Sequence, residues 1–134
     1  MDIRRLTDSY AVSPQIDPAD APAIAAAGYR TVICNRPDAE VPPDTGSAAV
    51  GEAVRAAGMR FVVLPLTHDT LRQHVAAQRE ALGDGPTLAY CASGTRSTIA
   101  WALGEAGATP ADEIVARAAN AGYDISGLRP ALGG

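Results

Sequence analysis

Three short, β-branched apolar runs set the frame of this chain: TVIC (31–34), RFVVL (60–64) and TLAYC (87–91). Each follows a glycine that closes a helical stretch, Gly28, Gly58, and Gly83 with Gly85. Strands that alternate with helices in this way predict parallel βαβ units, because two parallel strands need a crossover between them. A parallel sheet is covered on both faces. Two earlier segments, RRL (4–6) and YAVS (10–13), predict short edge strands. The expected architecture is therefore α/β, a mostly parallel sheet of four or five strands with helices on both faces. A chain of 134 residues suits one domain, spanning 1–134.

The helices announce themselves by caps and spacing. Asp17-Pro18-Ala19-Asp20 supplies an N-cap, a first-turn proline and an acid, which predicts a helix over 18–27. A second is expected over 45–57. A third is expected over 69–82, where Leu71, Val75, Gln78 and Leu82 recur at helical spacing. A fourth begins around Ser97 and ends at Gly107, and a fifth covers 110–121.

Composition then removes whole classes of function. The net charge of -4 speaks against sequence-independent nucleic-acid binding, which needs a basic surface. All eleven cationic side chains are arginine, so lysine Schiff-base chemistry and a lysine phosphate loop are excluded. No stretch nears the roughly 20 apolar residues of a membrane span, and the N-terminal residues lack a signal-peptide core. A cytoplasmic location is expected. The two cysteines and two histidines show no metal-ligand spacing, so no metal and no cofactor is expected.

Chemistry concentrates in Cys91-Ala92-Ser93-Gly94-Thr95-Arg96-Ser97, where a buried strand gives way to a helix. Parallel sheets place their sites outside the carboxyl ends of the strands. A helix start presents unpaired N–H groups and a positive dipole end, and the amides of residues 92–96 can converge on an anion. Arg96 adds a planar, permanent charge, and the Ser97 hydroxyl is placed to donate to sulfur. Each influence favours a Cys91 thiolate, expected to be open to small solutes. The alternative is a buried strand-end cysteine that only packs.

Two families share this loop grammar. The run Tyr90-Cys91-Ala92-Ser93-Gly94-Thr95-Arg96-Ser97 resembles the six-residue active loop of rhodanese-like sulfurtransferases. Tyrosine and dual-specificity phosphatases carry histidine before the cysteine and five residues before the arginine, whereas here Tyr90 precedes and four residues intervene. A smaller ring of amides suits a persulfide's outer sulfur better than a tetrahedral phosphate. Across nearly the whole chain, SPQI (13–16), AAAGYRTVICNRPDAE (25–40) and RFVVLPL (60–66) resemble the phosphatase-like domain of beta-lactamase hydrolase-like proteins. That resemblance implies a protein tyrosine phosphatase-like scaffold carrying a rhodanese-length loop.

Other residues offer paired readings. Arg36, with Asp38 and Glu40, follows the strand ending at Cys34; it is either a substrate-anion contact or a surface ion pair. In LPLTHD, which resembles the general-acid segment of dual-specificity phosphatases, Asp69 or His68 is placed to protonate a leaving oxygen. The alternative for Asp69 is an N-cap of the third helix. Cys34 is either core or a second thiol that takes sulfur from Cys91.

The function expected first is sulfur transfer, with Cys91 and Arg96 catalytic and residues 92–95, Ser97, Arg36 and His68 binding a small anion. Thiosulfate or a persulfide would load a Cys91 persulfide, and the resemblance implies a persulfide-oxidising enzyme as partner. The alternative is a phosphomonoester hydrolase, with Asp69 as acid. A further alternative is a non-catalytic module that binds anions or persulfides.

Overall fold

The computed structural model describes residues 1–133. Five strands form one sheet: β1 (Arg4–Arg5), β2 (Tyr10–Ser13), β3 (Thr31–Cys34), β4 (Arg60–Val63) and β5 (Thr87–Tyr90). Their spatial order is β1-β2-β5-β3-β4, with β1 antiparallel to β2 and every other pairing parallel. The last strand in sequence therefore occupies the centre, and all four of its residues are buried. The helices are α1 (Ala21–Ala26), α2 (Ser47–Ala56), α3 (Val75–Glu80), α4 (Thr95–Glu105) and α5 (Ala111–Asn120).

The period of two along each strand sorts side chains onto the two faces. Ala11, Val32, Cys34, Leu88 and Tyr90 pack with Ile24 of α1 and with Val50 and Val54 of α2. Tyr10, Val12, Ile33 and Ala89 pack on the opposite face with Trp101 and Ala102 of α4 and Ile114 and Ala118 of α5. Helix α3 lies against α4 on that second face. Both faces are covered, as the strand pattern requires. None of the described helices is long and apolar enough to cross a membrane.

Two local expectations fail for identifiable reasons. YAVS is an interior strand, because the two-residue β1 covers its outer side and leaves all four residues buried. RFVV instead forms the open edge, paired only to β3, and Val63 is 49 % exposed. The helix expected over 69–82 is cut short. A single turn of 3-10 helix (Leu71–His74) precedes the six-residue α3, and Leu82 lies past its end. The Thr67 and Thr70 hydroxyls contact each other and each other's backbone N–H, forming a turn where the first helical residues were expected. Asp69 caps nothing there.

Candidate active site

Cys91 is the first residue beyond β5, and its N–H still reaches the carbonyl of Ser13 on β2 at 3.4 Å. The chain then turns through residues 92–94 and enters α4 at Thr95. The turn depends on Gly94, whose φ is +95°. A side chain there would be strained, and its Cβ would lie 2.9 Å from the Cζ of Tyr123. Tyr123 occupies that space because its hydroxyl donates to the Ser93 carbonyl at 2.9 Å. The same turn carries the Gly94 N–H onto Cys91 Sγ, at 3.1 Å. An amide at a helix start thus points directly at the sulfur.

Arg96 is held as firmly. Its Nη1 donates to the Leu66 carbonyl at 2.7 Å and to Glu40 Oε2 at 2.8 Å, and its Nη2 donates to Glu40 Oε1 at 2.8 Å. Only 9 % of the side chain is exposed. Pairing with Glu40 raises the guanidinium pKa further, with Cys91 adding to the effect, while Arg96 holds the Glu40 carboxyl below its ordinary range. Glu40 is itself braced by Arg36, whose Nε reaches Oε1 at 3.3 Å and whose Nη1 reaches Gln15 at 3.2 Å. Three of the five guanidinium protons of Arg96 are engaged by these contacts. The edge formed by Nε–H and the second Nη2–H has no partner among the described residues.

Beneath the loop lies a closed polar circuit. The Ser97 hydroxyl donates to Asn35 Oδ1 at 2.8 Å, and the Asn35 and Gln78 amides exchange hydrogen bonds of 2.7 and 3.0 Å. Gln78 also donates to the Tyr10 hydroxyl, which donates in turn to the Ser97 carbonyl at 2.9 Å. Asn35 spends its other proton on the Leu64 carbonyl. The first turn of α4 is thereby fastened to β2, α3 and the segments after β3 and β4.

Comparison with known proteins agrees with this scaffold. The sequence profile described as "Beta-lactamase hydrolase-like protein, phosphatase-like domain" matches residues 2–108. The chain belongs to that family. It is 32% identical over 105 residues to a beta-lactamase hydrolase-like protein of Agrobacterium fabrum, covering 76% of this chain and 24% of that one. A Xylella fastidiosa relative of the same description is 31% identical over 130 residues, 93% of this chain and 30% of the relative. The chain therefore spans about a quarter to a third of the length of these relatives.

Among solved structures, a "putative phosphatase" from Neisseria meningitidis superposes with a TM-score of 0.85 at 36% identity, covering 98% of this chain and 96% of that one. A Pseudomonas aeruginosa TpbA variant in complex with pTyr gives 0.61 at 17% identity, over 98% and 90% of the two chains. The fold is that of tyrosine phosphatase-like proteins.

Within this phosphatase-like domain the expected site residues divide. Residues 91–96 form one cradle, with Ala92 and Ser93 exposed and Cys91 at its floor. Cys91 is 0% exposed, which corrects the expectation of a thiol open to solutes: the turn folds the Gly94 amide directly against the sulfur. Ser97 does not reach sulfur, because its buried hydroxyl donates to Asn35. Arg36 braces Glu40 and reaches the loop only indirectly, through Glu40 and through Gln15, whose N–H donates to the Ala92 carbonyl at 3.3 Å. His68 and Asp69 are exposed, and neither hydrogen-bonds to the loop among the described residues. His68 instead borders a groove with Leu71, Ile99, Leu103 and Leu128.

Cys34 packs on the α1–α2 face beside Tyr90, and burial raises its pKa, so at neutrality it is a protonated core thiol. Among the described residues no group of three His, Cys, Asp or Glu side chains is placed to hold a metal ion. Glu40, Asn35, Gln78, Tyr10 and Tyr123 are the residues that sequence reasoning did not assign to the site. One signal did exist: Gln78 is the polar member of an otherwise apolar helical stripe.

Proposed function

We propose that this domain is a cysteine-dependent phosphomonoester hydrolase. The observation that carries the reading is the pairing of Cys91 Sγ under the Gly94 amide with a braced Arg96, on the scaffold of a 36% identical phosphatase-type relative. The Cys91 thiolate attacks phosphorus, the P–O bond to the ester oxygen breaks, and a phosphocysteine forms. Water then attacks that phosphorus and returns the thiolate with inorganic phosphate. The free Nε–H and Nη2–H edge of Arg96 offers a two-pronged fork to the equatorial oxygens, where charge must be stabilised. Glu40 holds that fork in its orientation. Asp69, in the segment after β4, is assigned as the acid that protonates the leaving oxygen.

A second reading, sulfur transfer, is favoured by one feature: only four residues separate Cys91 from Arg96, around a wholly buried sulfur. A sulfane sulfur is one atom and asks less of so tight a ring. In that reading a persulfide-oxidising enzyme is the partner.

Aryl-phosphate hydrolysis and thiosulfate:cyanide transfer, each measured on wild type, Cys91→Ser and Asp69→Asn, separate the two. Phosphate release lost in Cys91→Ser and reduced about 100-fold or more in Asp69→Asn supports the hydrolase. Cysteine-dependent thiocyanate formation without phosphate release overturns it in favour of sulfur transfer. A persulfide adduct without turnover in either assay leaves the domain a binding module.

A further inference from the structure

At the end of the sheet opposite Cys91, where β3 and β4 begin, lies a cleft of about 730 Å³. Arg30, Thr31 and Arg60 line it together with the loop Gly83-Asp84-Gly85-Pro86. Thr31 and Arg60 are register partners, and the Arg60 N–H donates to the Arg30 carbonyl at 2.9 Å. The two arginines therefore stand at adjacent strand starts and line the same cleft.

The loop glycines lie close against these arginines. A Cβ on Gly83 would lie 2.7 Å from Arg60 Nη1, and one on Gly85 would lie 2.5 Å from Arg30 Cγ. Neither glycine has a positive φ, so the backbone itself does not demand glycine at either position. The arginines crowd the loop instead: the Arg30 stem stands where a Cβ on Gly85 would go, and the movable end of Arg60 lies nearest Gly83. Neither Arg30 nor Arg60 forms an ion pair among the described residues, although six other arginines do. Asp84, on the same loop, pairs with neither. Arg60 has only the Thr31 hydroxyl, at 3.3 Å.

Two unneutralised guanidiniums over a glycine loop, in a cleft of small-ligand size, make an anion site. Pro86 is shared with a neighbouring groove of about 260 Å³ that Arg5 and Tyr29 also line. That groove gives an extended ligand a third arginine and an aromatic ring. We propose that this end of the domain binds a small polyphosphate-bearing molecule of nucleotide size, at a site separate from the Cys91 loop. The phosphates lie between Arg30 and Arg60, and the organic part runs past Pro86 toward Tyr29.

The test is a titration of the ¹⁵N-labelled full chain with ATP, pyrophosphate and adenosine at low ionic strength, followed by amide shifts. ATP and pyrophosphate should move Thr31, Gly83 and Gly85, whether or not phosphate also moves the amides of 92–96. Arg30→Gln with Arg60→Gln should weaken ATP binding by at least about tenfold, the loss expected when hydrogen bonds to charged groups are removed. Both arginines are exposed, so the double variant keeps its fold and its Cys91-dependent turnover. Gly85→Ala, which displaces the Arg30 stem, should weaken binding as well. The proposal is overturned if ATP produces no shifts, if the shifts are confined to 91–96, if adenosine binds as well as ATP, or if the double variant binds ATP unchanged.

Discussion

Removing the Glu40 carboxylate tests how Arg96 is held. Glu40 supplies two charge-assisted hydrogen bonds of 2.8 Å to a guanidinium whose side chain is 9 % exposed. Hydrogen bonds to charged groups contribute about 1.5–3 kcal/mol when shielded. Glu40 itself is 35 % exposed, so water compensates much of its side of the pair and the figure must be discounted. Glu40→Gln retains one acceptor and should cost about 1 kcal/mol. Glu40→Ala leaves Arg96 with only the Leu66 carbonyl and should cost about 2 kcal/mol.

The pH dependence carries the sharper test. Arg96 depresses the folded-state pKa of Glu40, so this stabilisation is fully present above the unfolded carboxyl value, about 4.3. It is lost as pH falls from there through the depressed folded value, a range in which the unfolded chain takes up a proton that the native carboxylate does not. Urea unfolding of wild type and Glu40→Gln should therefore show a gap at pH 7 that narrows below about pH 4. An equal gap at pH 7 and pH 3.5, or none at pH 7, would refute the claim that an ionised Glu40 braces the arginine.

Other perturbations have defined outcomes. Gly94→Ala should lose about 2 kcal/mol or more in thermal unfolding, from its left-handed backbone and from Tyr123. Tyr123→Phe should not rescue it, since the ring carbon Cζ stays in the way. Asn35→Leu and Gln78→Leu should each cost about 2–4 kcal/mol by stranding buried partners. The double variant should cost clearly less than their sum in a double-mutant cycle. Cys34→Ala should keep full Cys91-dependent turnover, because its thiol is a protonated core group on the α1–α2 face.

Much of this arrangement was legible in the chain. The β-branched runs placed β3, β4 and β5, and the strand-to-helix switch at Cys91 located the cradle. Local patterns could not say which strands would be edges. YAVS and RFVV are both short and apolar, and only the pairing of Arg4–Arg5 with β2 puts one inside and leaves the other open. The partners of Arg96 and Ser97 were illegible for a similar reason. Glu40 is 56 positions from Arg96, and Asn35 is 62 from Ser97, so their contacts exist only once the crossovers are made. Burial of Cys91 was missed because the dipole argument treats the helix start as an open mouth, whereas Gly94 folds its own amide onto the sulfur.

The circuit of Tyr10, Asn35, Gln78 and Ser97 has every side-chain proton committed. Helix α4 is consequently a fixed post, unable to tilt or slide without stranding one of those protons. Residues 92–94 lie outside that circuit, and the Gly94 amide among them rests on the sulfur. That stretch has a separate tether, the Tyr123 hydroxyl on the Ser93 carbonyl, so the cover of the sulfur and the post behind it are secured independently.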